Sequence, residues 1–140
     1  MRRLILALCL LAAPAGAWTF TPVPICTLDH AGPEGSAQVT FDPATGLYTI
    51  HLTRPGGWPP APVFSIRFEG AAPLTISTDR HRTEGDRLTV TDRGFGNVLA
   101  GLEFNGTATA ILGATTLSLD LAGAAAAVRA FRDCPGEGLA

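Results

Sequence analysis

The densest run of side chains able to do chemistry is Asp79-Arg80-His81-Arg82, followed closely by Glu84, Asp86, Arg87, Asp92 and Arg93. On a strand, alternate residues point the same way, so Arg80 and Arg82 would share a face. Arg87, returning after a turn at Glu84-Gly85-Asp86, would join them. Three guanidinium groups at one edge make a candidate anion site, because each can give two parallel hydrogen bonds to a carboxylate or phosphate. The competing reading is that Asp79, Glu84, Asp86 and Asp92 hold these arginines in surface ion pairs of little worth. A different chemistry is suggested by the repeated tripeptide Thr78-Asp79-Arg80 and Thr91-Asp92-Arg93. Asp79 or Asp92 beside His81 would give a small hydrolase its acid–base pair.

Other reaction classes lack their parts. His30, His51 and His81 have no ligand spacing among themselves, so no metal site and no cofactor is expected. Ser36, Ser65, Ser77 and Ser118 fall in or at the start of strand patterns, and none sits in a G-x-S-x-G turn. The chain contains no lysine, which excludes a phosphate-binding loop of the G-x-x-x-x-G-K-[ST] form. A net charge of −2 and the absence of a basic run argue against a nucleic-acid partner. Trp58 lies in the stiff loop Pro55-Gly56-Gly57-Trp58-Pro59-Pro60-Ala61-Pro62. An aromatic residue on such a loop is a candidate partner anchor, because little entropy is lost on binding. Alternatively it folds back as a lid over the sheet.

The first seventeen residues have the pattern of an export signal. Arg2 and Arg3 precede an apolar run from Leu4 to Ala13, Pro14 ends it, and Ala15-Gly16-Ala17 offers small residues to a peptidase. The run is too short to span a bilayer, and cleavage is expected between Ala17 and Trp18. The remainder, residues 18–140, is then a single exported domain. Cys9 leaves with the signal. Cys26 and Cys134 remain, an even pair in an oxidising compartment, and are expected to form a disulfide.

The elements that must position these residues are mostly strands. Hydrophobic residues are 46% of the 140-residue chain and charged residues 16%, enough for a core. Period-two alternation marks 37–41, 48–52, 64–68, 74–78, 88–90, 107–112 and 115–121. The strands at 74–78 and 88–90 are expected to form one hairpin carrying the arginines at its tip. Helical spacing appears twice: Phe95, Val98, Leu99 and Leu102, and Ala124, Ala127, Val128 and Phe131. The expected fold is mainly β, an antiparallel sandwich with short helices near 95–103 and 124–132. Its core is expected to hold Tyr48, Ile50, Leu52, Phe64, Ile66, Phe68, Leu74, Ile76, Leu88, Val90, Leu117, Leu119, Leu121, Val128 and Phe131.

Leu117-Ser118-Leu119-Asp120-Leu121-Ala122-Gly123, followed by a small-residue helix ending Val128-Arg129-Ala130-Phe131-Arg132-Asp133-Cys134, resembles the end of small exported proteins of the invasion-associated locus B type. That resemblance implies a β-rich periplasmic domain closed by a strand, a glycine, a helix and a cysteine. Ile76-Ser77-Thr78-Asp79-Arg80-His81-Arg82 and Asp92-Arg93-Gly94-Phe95-Gly96-Asn97-Val98 resemble short exported proteins of alphaproteobacteria, an uncharacterised group. Some of that group carry the label of a DNA-repair excinuclease. A lysine-free chain of this length cannot hold the motor domains that label requires.

The sequence thus points to a non-catalytic periplasmic or envelope binding protein. Its expected partner is an envelope protein or a small anionic ligand, with Arg80, Arg82, Arg87 and Trp58 as contact residues. A small hydrolase and a self-associating envelope protein are the alternatives. Mass spectrometry of the exported protein should find Trp18 at its N-terminus. An intact or lipid-modified first segment would contradict this cleavage site.

Overall fold

The computed structural model describes residues 17–137, with side chains through Cys134. The expected signal segment lies outside the described residues, apart from Ala17. Ten strands and two helices follow: β1 Trp18–Thr21, β2 Cys26–Ala31, β3 Ser36–Asp42, β4 Leu47–Thr53, β5 Phe64–Gly70, β6 Leu74–Thr78, β7 Arg82–Glu84, β8 Arg87–Asp92, α1 Gly96–Phe104, β9 Asn105–Leu112, β10 Thr115–Asp120 and α2 Ala124–Glu137. They form two antiparallel sheets packed as a sandwich. One sheet is six-stranded, ordered β1-β2-β3-β4-β8-β7, and the other is four-stranded, ordered β10-β9-β5-β6.

The turns are written in the sequence. Asp42 starts one by accepting the Ala44 N–H on its carboxylate at 2.9 Å, which closes an Asx turn between β3 and β4. Gly85, at φ +58°, makes the tight reversal between β7 and β8 that a side chain would strain.

One expectation of strand pairing fails. β6 pairs with β5 in the four-stranded sheet, not with β8. The chain crosses between sheets at Asp79–His81, and the hairpin is β7–β8. Ile76 and Ile66 face each other in that β5–β6 register. The alternation of 74–78 reveals a strand but carries no information on which sheet it joins.

The inner faces meet in one apolar layer. Phe64, Ile66 and Phe68 of β5 are buried, as their alternation predicts, and so are Ile50, Leu52, Leu88, Leu117, Leu119, Val128 and Phe131. Tyr48, Leu74 and Ile76 are half-buried at its margin. Trp18 and Leu28 are core residues that the alternation does not reveal, because β1 and β2 are short and the connection between them holds Pro22 and Pro24. Trp18 stacks on His30 with ring centroids 4.4 Å apart and donates its indole N–H to the Asp120 carbonyl at 2.9 Å. It therefore ties the first strand of one sheet to the last strand of the other.

The helices cover what the narrower sheet leaves open. α2 packs on β1, β2 and α1, and α1 packs on β9, β5 and β6. Tyr48 stands at this end, 5.4 Å from Phe95 and 6.2 Å from Phe131 between ring centroids. The Cys26–Cys134 disulfide joins β2 to α2 across 108 residues. In the chain-entropy model a loop of that length is stabilised by about 4–5 kcal/mol. Among the described residues no helix is long and apolar enough to cross a membrane.

α1 lies so close to β5 that a Cβ on Gly101 would fall within the Phe68 ring. Phe68 is 1% exposed and has no room to retreat. Gly101→Ala should therefore destabilise by about 1–3 kcal/mol, the cost of overpacking. The gain in helix propensity works in the opposite direction. Urea denaturation measures the balance, and a net stabilisation would place α1 further from the sheet.

Candidate functional site

The outer face of the six-stranded sheet is polar by construction. Where Leu28, Val39, Ile50 and Leu88 turn inward, their neighbours turn outward. One register row crosses all six strands: Thr19, Asp29, Gln38, His51, Thr89 and Arg82. Beside it runs a row of threonines, Thr21, Thr27, Thr40, Thr49 and Thr91. On the other flank lie Ala31, Ser36, Thr53, Arg87 and Glu84.

Hydrogen bonds fix the first row. The Gln38 side-chain amide donates to the Asp29 carboxylate at 3.0 Å. His51 Nδ1 lies 2.9 Å from Thr89 Oγ1, and Thr49 Oγ1 lies 3.1 Å from Thr91 Oγ1. Between the rows is an open depression of about 380 Å³, lined among others by Asp29, Ser36, Gln38, His51, Thr53 and Arg87. Its walls are polar and apolar in about equal part, with Ala31 and Ala37 between the hydrogen-bonding side chains.

Arg87 lines it, and Arg82 lies on the same sheet face one strand further out. Partial burial, then the positive charges of Arg87 and Arg82, push the His51 pKa below its ordinary 6.5. Among the described residues the ion pairs are Arg67–Glu69 at 2.8 Å and Arg132–Glu103 at 3.1 Å. Neither involves Arg80, Arg82 or Arg87. Glu84 stands opposite Arg87 in the strand register yet makes no ion pair with it. The expected neutralisation of this cluster by its own acids does not occur at contact distance.

The three-arginine edge expected from the sequence is divided. Arg82 and Arg87 lie on the sheet face with His51. Arg80 lies in the crossover between sheets, where its main-chain N–H donates to Thr78 Oγ1 at 3.1 Å. The cause is the sheet change after β6. Sequence spacing does not reveal His51 as a partner, because its neighbours in the site are distant along the chain. The available signal is its outward position in the Tyr48–Leu52 alternation.

Trp58 is not an exposed anchor. It is 8% exposed, and its indole N–H donates to the Leu52 carbonyl at 3.1 Å. An apolar indole at the end of the sandwich is worth more buried than held in water on a stiff loop. The His81 ring N–H at Nε2 donates to the Ala61 carbonyl at 2.8 Å, which pins the same loop to the crossover. Among the described residues no hydrogen bond joins His81 to Asp79 or Asp92. Asp92 Oδ1 instead accepts the Arg93 main-chain N–H at 2.7 Å. No group of three or more His, Cys, Asp or Glu side chains among the described residues is placed to hold a metal ion.

Comparison with protein-family models, with curated proteins and with solved structures finds no match to this chain.

Because the His51 pKa is lowered in the fold, the unfolded chain binds a proton there more readily. Stability should fall as pH drops through 6.5 toward the lowered folded value, and stay level with respect to this group above that window. In His51→Gln that part of the slope should vanish. Denaturant midpoints for both proteins across this window measure it, and identical slopes would show that His51 does not carry the dependence.

Proposed function

We propose that the protein is an exported binding protein of the periplasm or envelope, not an enzyme, and that its polar sheet face takes a small anionic ligand. The observation that carries this reading is the pair of arginines, Arg82 and Arg87, that share the sheet face of His51 and make no ion pair of their own among the described residues. A ligand carboxylate or phosphate would supply the missing negative charge. Thr53, Ser36 and Gln38 on the depression wall would hydrogen-bond its remaining oxygens. Asp29 faces the same depression and sets a limit, because it disfavours an anion that spreads to the far wall.

Export is supported by the signal pattern of Met1–Ala17 and by a disulfide, a bond that persists in oxidising compartments. The two resemblances, to short exported alphaproteobacterial proteins and to the locus B type, agree with that location.

Calorimetric titration of phosphate and of citrate at low salt tests the ligand class. The wild-type protein should bind one of them, more weakly as salt rises. Arg82→Ala/Arg87→Ala should weaken binding by about tenfold or more, as expected for lost charge-assisted hydrogen bonds. Arg80→Ala should leave it unchanged. Absence of binding to the wild type, or full retention in the double variant, would reject the site.

A further inference from the structure

β6 forms one margin of the four-stranded sheet. β5 pairs with one side of it, and no described strand pairs with the other. Such an edge offers unpaired N–H and C=O groups, and proteins ordinarily guard it with charge, proline or a bulge. β6 reads Leu74-Thr75-Ile76-Ser77-Thr78, with no charge and no proline, and its pairing to β5 is regular. The edge of the other sheet is guarded: β7 is three residues long and carries Arg82 and Glu84.

A second observation lies beside it. The sheets part next to β6 in a gap of about 140 Å³, walled by Phe64, Ile66, Ile76, Val90, Phe95 and Val98. The Ser77 hydroxyl is turned away to Ser65, 2.8 Å distant, so Ser77 meets the gap with its main chain. An apolar space of this size accepts a benzene ring, and so one aromatic or branched side chain. Asp92 stands at the rim, exposed and in no ion pair among the described residues. The adjacent Arg93 does not neutralise it, because its guanidinium reaches away to the Thr45 carbonyl at 3.3 Å.

We propose that β6 and this gap bind an extended peptide of a partner protein by strand addition. The peptide pairs its main chain with the free side of β6, seats one apolar side chain in the gap, and places a basic residue near Asp92. Main-chain pairing supplies affinity and the single pocket supplies selectivity, as in other strand-addition sites. β6 belongs to the sheet opposite the anion site, the gap lies between the two sheets, and the proposal stands independently of that site.

The test selects from a displayed library of random heptapeptides on the full exported chain and remakes the enriched sequences as blocked peptides. These should share one large apolar residue and a nearby basic one. N-methylation of alternate peptide nitrogens should abolish binding in one phase of the alternation and spare it in the other. Val98→Phe, which fills the gap from α1, should weaken binding by about tenfold or more. Ile76→Trp fills it from β6 and serves if the first variant does not fold. Asp92→Asn should weaken only the peptides that carry the basic residue. The proposal fails if no peptide is enriched, or if binding ignores N-methylation or a filled gap in a folded variant. It also fails if the protein dimerises at assay concentration and Ser77→Lys separates the copies, because a second chain then occupies the edge.

Discussion

The structure depends on packing two sheets of unequal width against each other. Four strands cannot cover the inner face of six, and apolar surface left in water costs roughly 25 cal/mol per Å². The remainder of the wide sheet, at β1 and β2, is covered by α2, and α1 fills the angle between α2 and the narrow sheet. This explains why the last helix is alanine-rich yet carries Val128 and Phe131 on its buried side. Small residues let it approach closely, and two large ones reach the core. The disulfide reinforces the same seam, and the Tyr48 ring sits where both helices meet the sheet.

The same mismatch decides where ligands can reach. In a two-layer sandwich each sheet can bury only one face. The wide sheet's outer face is therefore a broad polar surface whose chemistry is set by every second residue of each strand. Placing Arg82 and Arg87 next to His51 on that surface needs no loop and no cleft, only register. At the β6 margin the two sheets meet less closely, Ile76 of β6 and Val90 of β8 lining one gap. The gap beside Ile76 is the other consequence of unequal width.

Much of this is legible in the sequence where burial alone decides side-chain direction. β5 is the clearest case: Phe64, Ile66 and Phe68 alternate with Ser65 and Arg67, and the inward set is the apolar one. The helical spacing of Phe95, Leu99 and Leu102 places α1 to within a residue, and the two cysteines that would remain after export form the disulfide. Strand partnership is not legible. Leu74–Thr78 has the same pattern whichever sheet it joins, so sequence reasoning builds the arginine edge around the wrong hairpin and puts Arg80 in it. Trp58 is left between two readings, exposed anchor or lid, for a related reason, and the structure bears out the one that folds back. Its loop is stiff, but stiffness does not say on which side of the backbone the indole lies. His51 acquires its meaning only from strands far away in sequence.

The seam between β1, β2 and α2 has a kinetic consequence. The first strand docks against the last helix, and β5 finds its second neighbour in β9 only after four intervening elements. Six of the eight described strand pairings join consecutive strands, but β4–β8, β5–β9 and the docking of α2 each close a long loop, and such closures slow folding because they must precede the burial that rewards them. Until α2 is available, the inner face of β1 and β2 has nothing to cover it. The β1–β2 part of the core therefore closes last, and a nascent chain emerging N-terminus first leaves that seam open until nearly all of it is present. Such a chain remains threadable for longer than one whose N-terminal half can fold alone.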